Sequence, residues 1–211
     1  MYREIKYHTA AEALSVIQSG MRVFVQGSAQ TPLFLLRELA KQAPRLNDVE
    51  LVFITVQGDI TIDKPEYEGI FNINCMFVSE SVRKAVNEGR ADFIPVFLSD
   101  IPDLFKKGYL PIDVALVQVS PPDRHGYCSL GLSVDIARSA VNTAKYIIAQ
   151  VNPNVPRTHG DSLVHTDRFT HMVYSDEPLP QVDYGSKVAA EELRIGELIA
   201  EMIDDGSTLQ M

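Results

Sequence analysis

The sequence has few of the features that mark secreted, membrane-spanning or nucleic-acid-binding proteins. Its 211 residues include only two cysteines, Cys75 and Cys128, and no C-x-x-C motif, so we expect no disulfide scaffold and a reducing compartment. No run approaches the roughly 18 apolar residues of a membrane span, and the polar first six residues do not form a signal-peptide core. The net charge of −9 disfavours nucleic acid as the main partner. These absences predict a protein of the cytoplasm, or of the mitochondrial matrix in a eukaryote.

Short β-branched apolar runs alternate with helical segments along most of the chain. The run at 49–56 is almost continuously apolar and the one at 146–151 is similar, as is typical of strands buried on both faces. Pro95 places the strand-like run at 93–97 at a sheet edge. Strands that alternate with helices indicate βαβ units. We therefore predict an α/β fold with an open, mainly parallel sheet and helices on both faces.

Two segments near the carboxyl end depart from this alternation. The segment 152–183 has weak periodicity, and we interpret it as an irregular excursion from the sheet with a hairpin at 163–174. The segment 186–204 has the apolar spacing of an amphipathic helix.

The first of three polar loops that follow predicted strands is Gly-Ser-Ala-Gln-Thr-Pro at 27–32. Pro32 suits the first turn of a helix, so free backbone amides and the helix dipole would meet there and could hold an anion. The loop lacks the Gly-Lys-Ser/Thr of a Walker motif. The alternative is a tight turn with Thr31 as the N-cap of the helix.

The second loop, at 120–131, is stiffened by two prolines, and its two glycines permit a positive φ or a close backbone approach. The alternative is a rigid turn in which Asp123 bonds to its own backbone. The third loop, at 150–160, offers amides, a hydroxyl and Arg157. Its alternative is a proline-stiffened connector. Ligands of open α/β sheets bind at the carboxyl ends of the strands, so the three loops are candidate pocket walls.

Taken in order, the motifs Gly-Ser-Ala-x-x-Pro, Ser-Pro-Pro-Asp-Arg-His-Gly-Tyr-Cys-Ser-Leu-Gly and Gln-Val-Asn-x-x-x-Pro-x-x-x-Gly resemble the amino-terminal domain of the acetyl-CoA hydrolase/transferase family. Its members include acetate, butyrate, succinate and 4-hydroxybutyrate CoA-transferases. The resemblance runs over essentially the whole chain. It implies an amino-terminal CoA-transferase domain at 1–203 and the start of a truncated second domain at 204–211.

The resemblance also implies a mechanism. In the family a glutamate attacks an acyl-CoA thioester to give an acyl-glutamyl anhydride and then a glutamyl-CoA thioester, from which an incoming carboxylate takes the CoA. That glutamate lies in the second domain, so we expect no catalytic residue in this chain and no activity from it alone. The expected pocket residues are Gly27, Ser28, Ala29, Gln30, Pro121, Asp123, Gly126, Asn152, Pro156, Thr158, Gly160 and Gln210.

The expected substrates are small carboxylic acids and acyl-CoA, with coenzyme A as a substrate and no permanently bound cofactor. We expect the missing carboxyl-terminal domain as a partner, a homo-oligomer at full length, and neither nucleic acid nor membrane as a partner. An acyl-CoA hydrolase and a non-catalytic metabolite sensor remain as alternatives.

Single residues with possible chemistry point to structural roles. His159, His165 and His171 recur every six residues, a spacing that matches no common metal motif, so we predict no metal site. Cys128 has no orienting partner in the sequence and is predicted to be a small buried side chain.

Overall fold

The computed structural model of the chain describes residues 6–181 and 188–210. The chain divides into two compact units, one through Pro180 and one from Gln181 onwards. Within residues 6–181, seven parallel strands form one sheet, and two further strands form an antiparallel pair. In chain order the strands are β1 (Arg22–Val25), β2 (Val49–Phe53), β3 (Phe71–Cys75), β4 (Ala91–Phe93), β5 (Val114–Val119), β6 (Tyr127–Ser129), β7 (Tyr146–Val151), β8 (Leu163–His165) and β9 (His171–Tyr174).

The main sheet has the order β4-β3-β2-β1-β5-β7-β9. The helices are α1 (Ala10–Leu14), α2 (Leu33–Ala40), α3 (Glu80–Asn87), α4 (Ile101–Lys106), α5 (Ala137–Thr143) and α6 (Ala190–Ala200). Short 3-10 turns lie at Ala43–Arg45, Pro65–Tyr67, Leu98–Asp100 and Thr166–Arg168.

Helices cover both faces of the sheet because successive strand residues point to opposite sides. In β1, Val23 and Val25 pack in one apolar cluster with α1, α2 and α3, whereas Phe24 packs in a second cluster with α4 and α5. All six residues of β5 are buried, and five of them are apolar, the exception being Gln118. The predicted α/β fold is confirmed.

The hairpin predicted at 163–174 is wrong. Strand β8 pairs antiparallel with β6, with Tyr127 opposite His165. Strand β9 instead joins the main sheet beside β7, in parallel. Met172 and Val173 of β9 are buried in this position and extend the core, and the burial of these two apolar side chains favours the main sheet over a hairpin with β8.

Three predicted boundaries also differ from the structure. The strand expected over 49–56 ends at Phe53. The edge strand predicted at 93–97 lies at Ala91–Phe93 and ends before Pro95, which has no N–H to donate to a ladder. Helix α6 covers Ala190–Ala200 of the predicted 186–204, and residues 186 and 187 lie outside the described part. No helix among the described residues has the length and apolar character needed to cross a membrane.

Candidate functional site

The three predicted loops begin at one edge of the sheet. Strands β1, β5 and β7 are consecutive neighbours and run parallel. The loop at 27–32 follows β1, the loop at 120–131 follows β5, and the loop at 150–160 includes the end of β7. The carboxyl ends of the three strands therefore lie side by side, as a shared binding site in an α/β sheet requires.

A network of buried side-chain amides joins these strand ends. The Oε1 of Gln118 accepts hydrogen bonds from Gln150 Nε2 and Asn152 Nδ2, each at 2.9 Å. Gln26 Oε1 accepts from the backbone N–H of Gln118 at 2.7 Å, and Gln30 Nε2 donates to its carbonyl at 2.9 Å. All five residues are at most 2% exposed. Because buried amides bond strongly and directionally, the network holds the first and third loops in one arrangement.

The first loop is also bound to the loop that follows β2. A Cβ on Gly27 would lie 2.3 Å from the carbonyl oxygen of Thr55, so only glycine fits this approach. The next residue, Ser28, has a φ of +53° and donates its N–H to the same carbonyl at 3.1 Å. The hydroxyls of Ser28 and Thr55 lie 3.2 Å apart. Residues 54–58 thus form a fourth strand-end loop at the site.

Sequence analysis missed this fourth loop. Thr31 Oγ1 donates to the carbonyl of Ser28 at 2.7 Å and accepts from Gln57 N–H at 3.1 Å. Thr31 is therefore not the N-cap of α2, a position taken by Pro32 without a side-chain cap bond. The available signal was the segment Thr55-Val56-Gln57-Gly58 at the end of the run at 49–56, but the neighbour relation of β2 and β1 was needed to use it.

The second loop is shaped by Asp123. Its Oδ1 accepts from the backbone N–H groups of His125 at 2.8 Å and Tyr127 at 2.9 Å, and its Oδ2 accepts from Arg157 at 2.7 Å. These contacts, the Tyr127 hydrogen bond first, hold the pKa of the Asp123 carboxyl below its usual value. Asp123 thus bonds to its own loop, as the structural alternative expected, and links the second loop to the third.

Hydroxyl groups strengthen the link between the second and third loops. Ser129 Oγ lies 3.1 Å from Thr158 Oγ1 and accepts from Thr158 N–H, also at 3.1 Å. Thr158 Oγ1 donates to the carbonyl of Gly131 at 2.9 Å. Gly131 has a φ of +69°, and a Cβ there would lie 2.5 Å from Gln30 Nε2. The second loop therefore packs closely against the first loop as well.

The predicted pocket residues differ in exposure. Gly27, Gln30 and Asn152 are buried. The half-buried ones are Ser28, Ala29, Asp123, Gly126 and Thr158, and the exposed ones are Pro121, Pro156 and Gly160. Gln210 is exposed and lies in the second compact unit. That all of these residues contact a substrate stays a prediction.

The loops can orient a ligand, but they carry no free nucleophile. Asp123 is the one carboxylate in their sequences, and it is engaged in the bonds above. Cys128 is fully buried, as predicted, and burial raises the pKa of its thiol to about 12. No group of three histidine, cysteine or acidic residues that could hold a metal ion occurs among residues 6–181 and 188–210. The chemistry available here is hydrogen bonding.

Comparison with known proteins bears on this arrangement. The model of the Acetyl-CoA hydrolase/transferase N-terminal domain matches residues 2–184. The 4-hydroxybutyrate coenzyme A transferase of Clostridium kluyveri is 40% identical over 211 residues, which are 100% of this chain and 49% of the relative. A succinyl-CoA:acetate/propanoyl-CoA:succinate CoA transferase of Fasciola hepatica is 39% identical over 94% of this chain and 42% of its own length. The chain spans about half the length of these curated relatives.

Solved structures of related proteins also resemble this chain. RipA from Yersinia pestis superimposes with a TM-score of 0.86 at 27% identity, over 96% of this chain and 49% of RipA. The 4-hydroxybutyrate CoA-transferase abfT-2 of Porphyromonas gingivalis has a TM-score of 0.72 at 28% identity, over 96% of this chain and 46% of its own.

Proposed function

Because the chain belongs to the acetyl-CoA hydrolase/transferase family, we propose that it forms the amino-terminal half of an enzyme that moves coenzyme A between small acyl-CoA thioesters and carboxylic acids. One observation carries this proposal. Three polar loops lie at the ends of adjacent parallel strands and are joined by buried amides into a single wall. A wall of this kind holds the three loops in a fixed arrangement, which suits one side of a cleft for an acyl group.

The proposal assigns the reacting carboxylate to a second half. The three loops hold no free carboxylate, and the curated relatives are about twice as long as this chain. Two of the matching RipA structures are variants at one glutamate, and the number of that glutamate in RipA exceeds the length of this chain. In this division of labour the second half supplies the nucleophile, and this chain supplies one side of the cleft.

The contribution of this chain is positioning and dryness. An acyl-glutamyl anhydride is hydrolysed if water reaches it, so a transferase needs a closed wall. Hydrogen bonds of the buried side-chain amides of Gln26, Gln118 and Asn152 keep the strand ends from separating. In this proposal coenzyme A is a substrate rather than a resident cofactor. A homo-oligomer and a location in the cytoplasm or mitochondrial matrix are part of the proposal.

The test compares the full gene product with the 211-residue chain. Each is incubated with acetyl-CoA and isotope-labelled butyrate, and labelled butyryl-CoA and free thiol are measured over time. We expect the full product to form labelled butyryl-CoA and the 211-residue chain to form none. Adding the separately expressed remainder of the gene product to the 211-residue chain should restore transfer.

Three results would contradict the proposal. Transfer by the 211-residue chain alone would show that the nucleophile lies in this chain and not in the second half. Release of free thiol by the full product without labelled butyryl-CoA would favour the hydrolase. A full product that binds acyl-CoA without consuming it would favour a sensor.

A further inference from the structure

Helix α6 carries an apolar stripe that is exposed to solvent. All eleven residues of Ala190–Ala200 are exposed. Four apolar residues at the spacing i, i+3, i+4 and i+7 share one face of a helix, namely Ile195, Leu198, Ile199 and Met202, the last in the turn after α6. Their exposed fractions lie between 45% and 82%. A helix of fewer than about 12 residues is marginally stable in water unless its apolar face packs, so this apolar stripe needs a partner surface.

The opposite side of α6 is polar apart from one leucine. Glu197 and Glu201 lie four residues apart and away from the apolar stripe, and Arg194 forms an ion pair with Glu197 at 2.8 Å. Leu193 precedes Leu198 by five residues, so the two side chains point about 140° apart around the helix axis. Leu193 is therefore an exposed leucine of the same helix that does not belong to the apolar stripe.

Helix α1 shows what such a face does within this fold. Gly20 follows α1 with a φ of +77°, and Gly206 follows α6 with a φ of +83°. Apolar residues stand three and seven positions before each glycine, namely Ala13 and Ile17 before the first and Ile199 and Ile203 before the second. The first two are fully buried in the apolar cluster that includes residues of β1 and β2, whereas the last two are exposed. The spacing of α6 is thus that of a helix that packs on a β-sheet.

The family match indicates where such a sheet lies. The N-terminal domain model matches residues 2–184, a range that ends before α6. The relative from Clostridium kluyveri is similar over 211 residues and is about twice as long as this chain, so α6 lies in a shared segment outside the domain model.

Charge disfavours a second copy of α6 as the partner. Residues 190–205 contain six acidic residues and one basic residue. Pairing two copies of this helix would bring two strongly negative segments together, which costs free energy. The second half of the proposed enzyme avoids this repulsion if it offers an uncharged apolar surface.

We propose that α6 docks on the second half of the proposed enzyme and packs its apolar stripe on a β-sheet face of that half. The inference rests on the proposed function, which supplies the second half, and it goes beyond that function by assigning α6 to this half. The resemblance implies a first domain that extends to residue 203, whereas in this assignment the boundary precedes Ala190. Gln210, ten residues after the end of α6, is then positioned by the second half.

Oxidation of methionine by hydrogen peroxide in the full gene product tests this packing. Met202 belongs to the apolar stripe and is 82% exposed in the structure. If nothing covered it, the native product and the urea-unfolded product would be oxidised at Met202 at nearly the same rate. We expect the native rate to be lower by about tenfold or more, because a covered side chain reacts only after local opening. Peptide mass spectrometry of the Met202 sulfoxide over time gives both rates.

A pair of leucine substitutions in the full gene product gives a second measurement. Leu198→Asn places a polar group in the apolar stripe, and Leu193→Asn makes the same change on the other side of the same helix as the matched control. We expect Leu198→Asn to lower the midpoint of urea unfolding by about 0.5 M or more, the effect of losing a buried leucine, and to speed the oxidation of Met202. Leu193→Asn should keep the midpoint within about 0.2 M of the wild type.

The outcomes separate this inference from the function on which it rests. Equal rates of Met202 oxidation in the native and unfolded product, or equal midpoints for the two leucine variants, would overturn the docking of α6 and leave transfer intact. Protection of Met202 that disappears on dilution, together with a smaller mass by light scattering, would assign the apolar stripe to a second copy and overturn the proposal. Absence of transfer to any carboxylic acid, with Met202 still protected, would overturn the proposed function but not the packing of α6.

Discussion

Replacement of Gln118 by methionine tests whether the buried amide network holds the site together. Methionine has nearly the same length and volume as glutamine, so Gln118→Met removes the polar contacts without opening a cavity. The Oε1 of Gln118 accepts from Gln150 Nε2 and Asn152 Nδ2. Both donors would lose this acceptor in the variant. Asn152 Nδ2 would keep its second bond, to the carbonyl of Glu177 at 2.8 Å.

The expected cost follows from these contacts. A buried polar group left without a partner costs about 1–3 kcal/mol. The Gln150 amide loses its recorded acceptor, and the Asn152 amide loses one of its two acceptors. We therefore expect the free energy of unfolding to fall by about 2–4 kcal/mol. At about 2–4 °C per kcal/mol for a chain of this size, Tm should fall by about 4–16 °C.

Urea and thermal unfolding of the 211-residue chain, followed by circular dichroism, measure this change. Gln18→Met is the matched control, because Gln18 is exposed. The control should lie within about 0.5 kcal/mol of the wild type. In a double variant, Gln118→Met with Gln150→Met, the donor that the first change orphans is itself removed. We expect the double variant to be destabilised by less than the sum of the single variants.

A Gln118→Met variant as stable as the Gln18→Met control would show that the amide network does not stabilise the fold. Simple additivity of the changes at Gln118 and Gln150 would show that the hydrogen bond between these two side chains contributes nothing.

Three further predictions follow from the same structure. Gly131→Ala should destabilise the chain by about 2 kcal/mol or more, since its Cβ would lie 2.5 Å from the amide of Gln30, whereas Gly108→Ala shares the positive φ but meets nothing within 4 Å and should cost less in the same urea titration. The depressed pKa of the Asp123 carboxyl stabilises the fold above the unfolded pKa of about 3.9, and this contribution disappears as the pH falls. Asp123→Asn should therefore remove part of the acid-induced loss of stability. Parallel curves of unfolding midpoint against pH, from pH 2 to 6, for the variant and the wild type would contradict this. Burial, assisted by the neighbouring His8 imidazole, lowers the pKa of His171, so the unfolded chain binds more protons than the folded chain below about pH 6.5. The free energy of unfolding should therefore decline as the pH falls below this value. His171→Phe should flatten that part of the pH profile, and an unchanged slope would refute the role given to His171.

Local sequence predicted the elements of the fold well where burial was uniform. The run at 146–151 matches β7 residue for residue, and five of its six residues are buried. The loop chemistry of Asp123 was also readable, because a side chain that bonds to amides two and four residues ahead needs no distant partner.

Other features could not be read from the sequence. The segment at 163–174 contains two short strands, and local pattern alone favours pairing them with each other. The structure pairs Leu163–His165 with Tyr127–Ser129 and places His171–Tyr174 beside β7. The loop at 54–58 was missed for the same reason, since its role depends on β2 lying next to β1.

By itself, the sequence determined that the chain folds as a parallel α/β sheet with three polar loops at strand ends, because periodicity and turn chemistry act over a few residues. Only the tertiary structure decided which strands are neighbours. Strand order results from burying both faces of the sheet at once, which depends on contacts between residues far apart in the sequence. One such contact joins Gln26 and Leu130, whose side-chain amide and backbone carbonyl lie 2.9 Å apart. That order brought together Gln30, Gln118 and Asn152 and placed Thr55 beside Ser28, and the proposed cleft depends on it.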